Sequence, residues 1–117
     1  EYLDESYDEQ SNIIVLGDWN DDTKNEPGQH CFEPFFQDDR FYFTTREIAF
    51  DIGQASYPKE PYVSFLDHIM ISEKLLPKES FYDVKTILMG DFMGGYDVYE
   101  EYISDHRPVL LSFSVTK

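Results

Sequence analysis

The strongest constraint on the fold lies in residues 12–21, NIIVLGDWND. Ile13, Ile14, Val15 and Leu16 are four consecutive apolar residues, three of them β-branched, and they run into Gly17, Asp18, Trp19 and Asn20. A short apolar run bounded by turn residues reads as a buried strand. The carboxylate of Asp18 and the carboxamide of Asn20 then sit at the strand exit, where loops carry chemistry on a rigid support. A buried strand needs neighbours, so the remaining chain must provide further strands to pair with it.

It does. Residues 41–45, FYFTT, 63–72, VSFLDHIMIS, 81–89 and 108–115 each carry strand-forming or alternating apolar residues. Within 63–72, Asp67, Ile69 and Ile71 fall on one face and His68, Met70 and Ser72 on the other. Short helices are expected over 33–39, begun by Pro34, and over 97–103. Thr45 is positioned to cap a turn running to Asp51, and 73–77 reads as one helical turn stopped by Pro77. The polar loop 20–30 contains Pro27-Gly28, and its acids Asp21 and Asp22 read as solvated. Residues 90–95, GDFMGG, echo the first motif without its second polar group and read as a mobile loop. Residues 1–11 read as an acidic helix tail and a loop, and 12–117 as the core of a single domain. The fold class expected is α/β (α+β), with a mixed, largely antiparallel sheet.

Composition narrows the functions open to such a domain. Twenty-four acids against nine Lys and Arg give a formal net charge of −15. That charge repels nucleic acid at long range and leaves no basic stripe for tracking phosphates, so either the substrate is small, or a basic surface lies elsewhere, or metal ions offset the acids locally, the first being the simplest. The single cysteine, Cys31, excludes an intrachain disulfide, and His30 beside it is half a zinc motif without its other half. No apolar run approaches the roughly 18 residues of a membrane-spanning helix.

Three acid-bearing segments stand at strand boundaries. They are Asp18 in GDWN, Asp67 in residues 66–69 (LDHI), and Asp105-His106 in residues 104–109 (SDHRPV). Asp18 follows its strand, whereas Asp67 and Asp105-His106 precede theirs. If those later strands run antiparallel to the first, all three boundaries fall on one rim. Such a rim suits phosphoester hydrolysis. A hard divalent cation takes carboxylate oxygens and offsets charge on phosphate and leaving oxygen. An imidazole paired with a carboxylate binds phosphate or moves a proton. Asn20 donates to a phosphoryl oxygen without adding charge.

These three motifs, in this order, resemble those of the endonuclease/exonuclease/phosphatase (DNase I-like) superfamily, and the resemblance covers residues 12–117, closest to bacterial members. It implies a role for each residue. Asp18 positions or activates the attacking water, Asn20 contacts the scissile phosphate, Asp67 orients His106, and His106 contacts the phosphate or assists proton transfer. Asp105 is implied as a metal ligand, with Mg²⁺ or Mn²⁺ as the cofactor. No catalytic role passes to His68, whose position varies within the family. The implied fold is the C-terminal portion of a four-layer α/β sandwich. The family's earlier Asn, metal-binding Glu and second His have no counterpart here, so this piece is expected to bind metal weakly and turn over poorly or not at all. The expected partners are a phosphoester substrate, small or lipid-linked, and either the missing N-terminal half or a second copy of the chain. The alternative expectation is a non-catalytic half-domain that associates or exchanges elements with another chain.

Overall fold

The computed structural model describes residues 11–75 and 81–114. In chain order the elements are β1 (Ile14–Asp18), α1 (Glu33–Phe36), β2 (Phe41–Phe43), β3 (Asp67–Ser72), β4 (Tyr82–Thr86), α2 (Tyr96–Tyr102) and β5 (Val109–Phe113). Single 3₁₀ turns occupy Ile48–Phe50, Ile52–Gln54, Glu73–Leu75 and Met89–Phe92. Two antiparallel sheets form, one in the order β1-β3-β2 and one pairing β4 with β5. The domain is therefore mixed α+β with antiparallel sheets. Among the described residues no helix is long and apolar enough to cross a membrane. The segment 1–10, Leu76 and Pro77 of the expected helical turn, and the end of the expected last strand lie outside the described residues.

β3 is the centre of the structure. Every residue of Asp67–Ser72 except Asp67 is buried, because both faces of the strand are covered. On one face His68 and Met70 meet an aromatic cluster built from Phe32 and Phe43, with Val15, Trp19, Phe35, Phe36 and Phe41 packed around it. Trp19 lies 5.2 Å from Phe43 and 5.6 Å from Phe32, centroid to centroid. Such offset and edge-on ring pairs add about 0.5–1.5 kcal/mol each beyond the area they bury. On the other face Ile69 and Ile71 pack against Val109, Leu111 and Phe113 of β5, with Tyr42, Leu75 and Tyr82. This division follows the period-2 alternation of residues 67–72. The β5 alternation also holds: Val109, Leu111 and Phe113 face inward and Leu110 and Ser112 are exposed.

Several local expectations need correction. β1 is an edge strand, and the buried strand read from its apolar run is only half buried. Val15 packs into the aromatic cluster, but Ile14 and Leu16 are 44% and 70% exposed. They pair in register with Ile71 and Ile69, and the β4–β5 sheet covers the β3 and β2 part of that face while stopping short of β1. α1 is four residues long and not seven, and the strands expected over 63–72 and 81–89 shorten to 67–72 and 82–86. The helix over 97–103 starts one residue earlier and buries only Tyr99. Thr45 caps nothing through its side chain; it is fully buried, and its hydroxyl bonds His68 instead.

The GDFMGG segment, expected as a mobile loop, is a closed turn. Gly95 N–H donates to the Gly90 carbonyl at 2.8 Å, and a Cβ at Gly90 would meet the Gly95 backbone at 3.0 Å. Asp22 is not a solvated loop acid either, being only 4% exposed. Its carboxylate accepts from Phe65 N–H at 3.0 Å and Lys24 N–H at 3.1 Å. Asp21 is likewise engaged, accepting from Cys31 N–H at 2.7 Å and Asp22 N–H at 2.9 Å. Burial works against the Asp21 carboxylate, but these bonds outweigh it and hold its pKa below the usual value.

Candidate active site

Asp18 is the last residue of β1 and Asp67 the first of β3, and the antiparallel register sets them directly opposite each other. The sequence around Asp18 makes that exit sharp. Gly17 has φ of +149°, where any side chain would be strained, and Asn20 sits in the left-handed region at φ 52°. Asp18 closes the turn by accepting Asn20 N–H at 2.8 Å. Trp19 turns inward to the aromatic cluster, and its N–H donates to the Leu66 carbonyl at 2.9 Å. The strand exit is thus anchored at the position just beyond the facing Asp18 and Asp67.

His106 reaches the same place from the loop before β5. Its Nδ1–H donates to Asp67 Oδ2 at 2.7 Å, a charge-assisted bond. α2 holds that loop from behind. Tyr99 hydroxyl donates to the His106 carbonyl at 2.8 Å, and Tyr96 hydroxyl donates to the Asp105 carbonyl at 2.7 Å. Ser104 Oγ accepts His106 N–H at 3.0 Å, and the Tyr57 ring lies 5.3 Å from the imidazole. Among the described residues, Nε2 of His106 has no hydrogen-bond partner.

One ligand atom from each of Asp18, Asp67 and His106 lies within 4.8 Å of the others. Partial burial pulls the His106 pKa down, but the Asp67 hydrogen bond and charge, with Asp18 and Asp105 adding to them, more than offset this, and the pKa is raised. Two facing carboxylates in a strongly acidic chain favour a cation between them. Carboxylate oxygens with one imidazole nitrogen make a donor set able to hold a metal ion, and Asp67 is already committed through one oxygen to the imidazole. A cavity of about 260 Å³ opens beside the pair, lined by Leu16, Gly17, Asp67, His106, Arg107 and Val109 among others.

Of the five residues singled out in the sequence, the structure gathers Asp18, Asp67 and His106. Asn20 is exposed two residues from Asp18 and joined to it through its backbone. Asp105 is exposed, next to His106, and is not one of the three whose ligand atoms converge. His68 serves the core. It is 1% exposed, its Nε2–H donates to the Asp21 carbonyl at 3.0 Å, and Thr45 hydroxyl donates to its Nδ1 at 2.9 Å. Burial holds its pKa below the usual value against weaker opposing hydrogen bonds and charges, which keeps the ring neutral. Sequence reading missed Tyr57 and the anchoring tyrosines Tyr96 and Tyr99; an aromatic residue beside a motif carries no signal until the fold brings it there. No family model, curated protein or solved structure matches the chain.

Proposed function

We propose that this chain carries part of the site of a Mg²⁺- or Mn²⁺-dependent phosphoesterase of the endonuclease/exonuclease/phosphatase type, acting on small or lipid-linked phosphoesters. The observation that carries the proposal is the 2.7 Å bond between His106 Nδ1 and Asp67 Oδ2, with Asp18 beside both. One residue from each of three separate motifs meets there, which supports the reading. The finer fold we propose is the C-terminal portion of a four-layer α/β sandwich. The exposed Ile14 and Leu16 on an otherwise covered sheet face support it.

Each residue has a task in this reading. Asp67 fixes the imidazole tautomer, so Nε2 of His106 is unprotonated when the ring is neutral and accepts a proton, or donates one to phosphate when the ring is charged. Asp18 orients a water by accepting its hydrogen, and Asn20 donates to a phosphoryl oxygen. Asp18 and Asp67 offer the gathered carboxylate oxygens; the motif resemblance also assigns Asp105 to the metal. When bound, the cation supplies neutralisation of the phosphate and of charge on the leaving oxygen. With so few gathered ligands, binding is weak and turnover by this chain slow.

The test is hydrolysis of bis(4-nitrophenyl) phosphate in Mg²⁺ or Mn²⁺. Slow, metal-dependent release of nitrophenol that falls at least tenfold in both Asp18→Ala and His106→Ala is the expected result. A rate untouched by both substitutions removes the catalytic assignment. A second reading, a non-catalytic half-domain that associates with another chain, is favoured by the 70% exposure of Leu16. Metal-independent dimerisation with no turnover would select it.

A further inference from the structure

The hydrogen bonds around the Asp67–His106 pair converge on a residue that no motif includes. Ser56 is fully buried, at 0% exposure. Its Oγ accepts two backbone N–H groups, Leu66 at 2.9 Å and Asp67 at 3.1 Å, which uses both of its acceptor positions. Its own carbonyl accepts Arg107 N–H at 2.7 Å. One residue therefore holds the backbone at Asp67 with its side chain and the backbone beside His106 with its main chain. The next link continues to the third member of the site, since Leu66, held by Ser56, accepts Trp19 N–H beside Asp18. On the adjacent position, the Tyr57 ring lies against His106. Tyr57 is itself fixed by paired backbone bonds with Ser64 at 2.9 and 3.0 Å.

We infer that Ser56 is the positioning residue of this site, its hydroxyl setting the Asp67 backbone so that the carboxylate meets His106 Nδ1. Any catalytic consequence rests on the phosphoesterase reading; the geometric claim does not. A hydroxyl suits the task because one side-chain oxygen accepts both N–H groups at a point closed to water. Alanine there leaves both N–H groups without an acceptor, and the strand start can relax toward water or the cavity. Displacements on the order of 1 Å are enough to separate acid and base partners in active sites.

The experiment reads the His106 tautomer by long-range ¹H–¹⁵N NMR of the whole, metal-free chain in alkaline buffer, where the ring is neutral. Asp67, Asp18 and Asp105 are the charged groups that act on the ring. The native chain is expected to show the Nδ1–H form that Asp67 selects, and Asp67→Asn serves as the reference for its loss. In Ser56→Ala the ratio of Nδ1–H to Nε2–H should fall by about tenfold or more, the size of a lost charge-assisted bond. Ser56→Thr, which keeps the hydroxyl, should restore the native ratio, and the buried His68 should keep its Nε2–H form throughout. A folded Ser56→Ala chain with the native His106 ratio overturns the inference. So does a ratio lost equally in the Ala and Thr variants, or a Ser56→Ala chain that fails to fold, which would make Ser56 a global stability residue. Absence of phosphodiester hydrolysis would count against the functional reading alone and leave this result standing.

Discussion

Asp22→Ala should be among the more damaging single substitutions in the loop that follows the candidate site. The carboxylate is 4% exposed and serves the N–H of Phe65, itself 1% exposed, at 3.0 Å. A hydrogen bond to a charged acceptor is worth about 1.5–3 kcal/mol, and the orphaned Phe65 N–H has no route to water. The Lys24 N–H, also served by Asp22, lies nearer solvent and can rehydrate. The Lys24 ammonium at 3.2 Å is 38% exposed, so that ion pair adds less than about 1 kcal/mol after screening. Together these give a loss of about 3 kcal/mol, or on the order of 10 °C in Tm for a domain of this size. Asp22→Asn keeps one carbonyl oxygen for Phe65 and should lose about half as much. Urea unfolding followed by fluorescence reports directly, because Trp19 is the only tryptophan and packs at the root of the same loop. An Asp22→Ala loss below about 0.5 kcal/mol would show that the Phe65 N–H does not depend on this carboxylate. So would an equal loss in Lys24→Ala, which would assign the effect to the ion pair.

Leu16→Ser should change stability by less than about 1 kcal/mol, since Leu16 is already 70% exposed, whereas Ile71→Ala, opened in a fully buried position, should cost about 3 kcal/mol by the same urea assay. pH should act on His68 and His106 with opposite sign. The pKa of His68 is lowered in the fold, so the unfolded chain takes up its proton first and the associated stability is lost as pH falls below about 6.5. The difference in unfolding free energy between the native chain and His68→Gln should therefore shrink on acidification. The pKa of His106 is raised, so its contribution is complete below about 6.5 and is lost as pH rises through the higher folded value. His106→Gln compared with the native chain should show that trend.

How much of this was legible in residues alone depends on whether the signal was local. Residues 12–20 signalled a strand with a polar turn at its exit, and both form because backbone conformation there is set within a few residues. The alternation of residues 67–72 and 109–113 likewise sorted their side chains onto the two faces that form. Register did the rest for Asp18 and Asp67, since antiparallel pairing of two boundary residues leaves one arrangement. Burial was not local, and there the reading failed. Leu16 and Val15 are equally apolar, yet only Val15 finds a covering cluster. Asp21 and Asp22 are the same residue in the same loop, but Asp22 is drawn under by a backbone N–H 43 positions away. Ser56 is invisible for the same reason: its partners at 66, 67 and 107 exist only once the sheets have formed. Asp105, named from its motif, stands beside the converged groups rather than among them.

The proposed site gathers a cation at the carboxylates of Asp18 and Asp67, beside His106, in a chain of formal net charge −15. Substoichiometric Mn²⁺ added to the ¹⁵N-labelled chain tests it directly, because paramagnetic broadening marks where the ion resides. Amides at and around positions 18, 67 and 106 should broaden first, and Asp18→Asn should remove this preference. Broadening spread evenly over the exposed acids, or centred elsewhere and indifferent to Asp18→Asn, would contradict it.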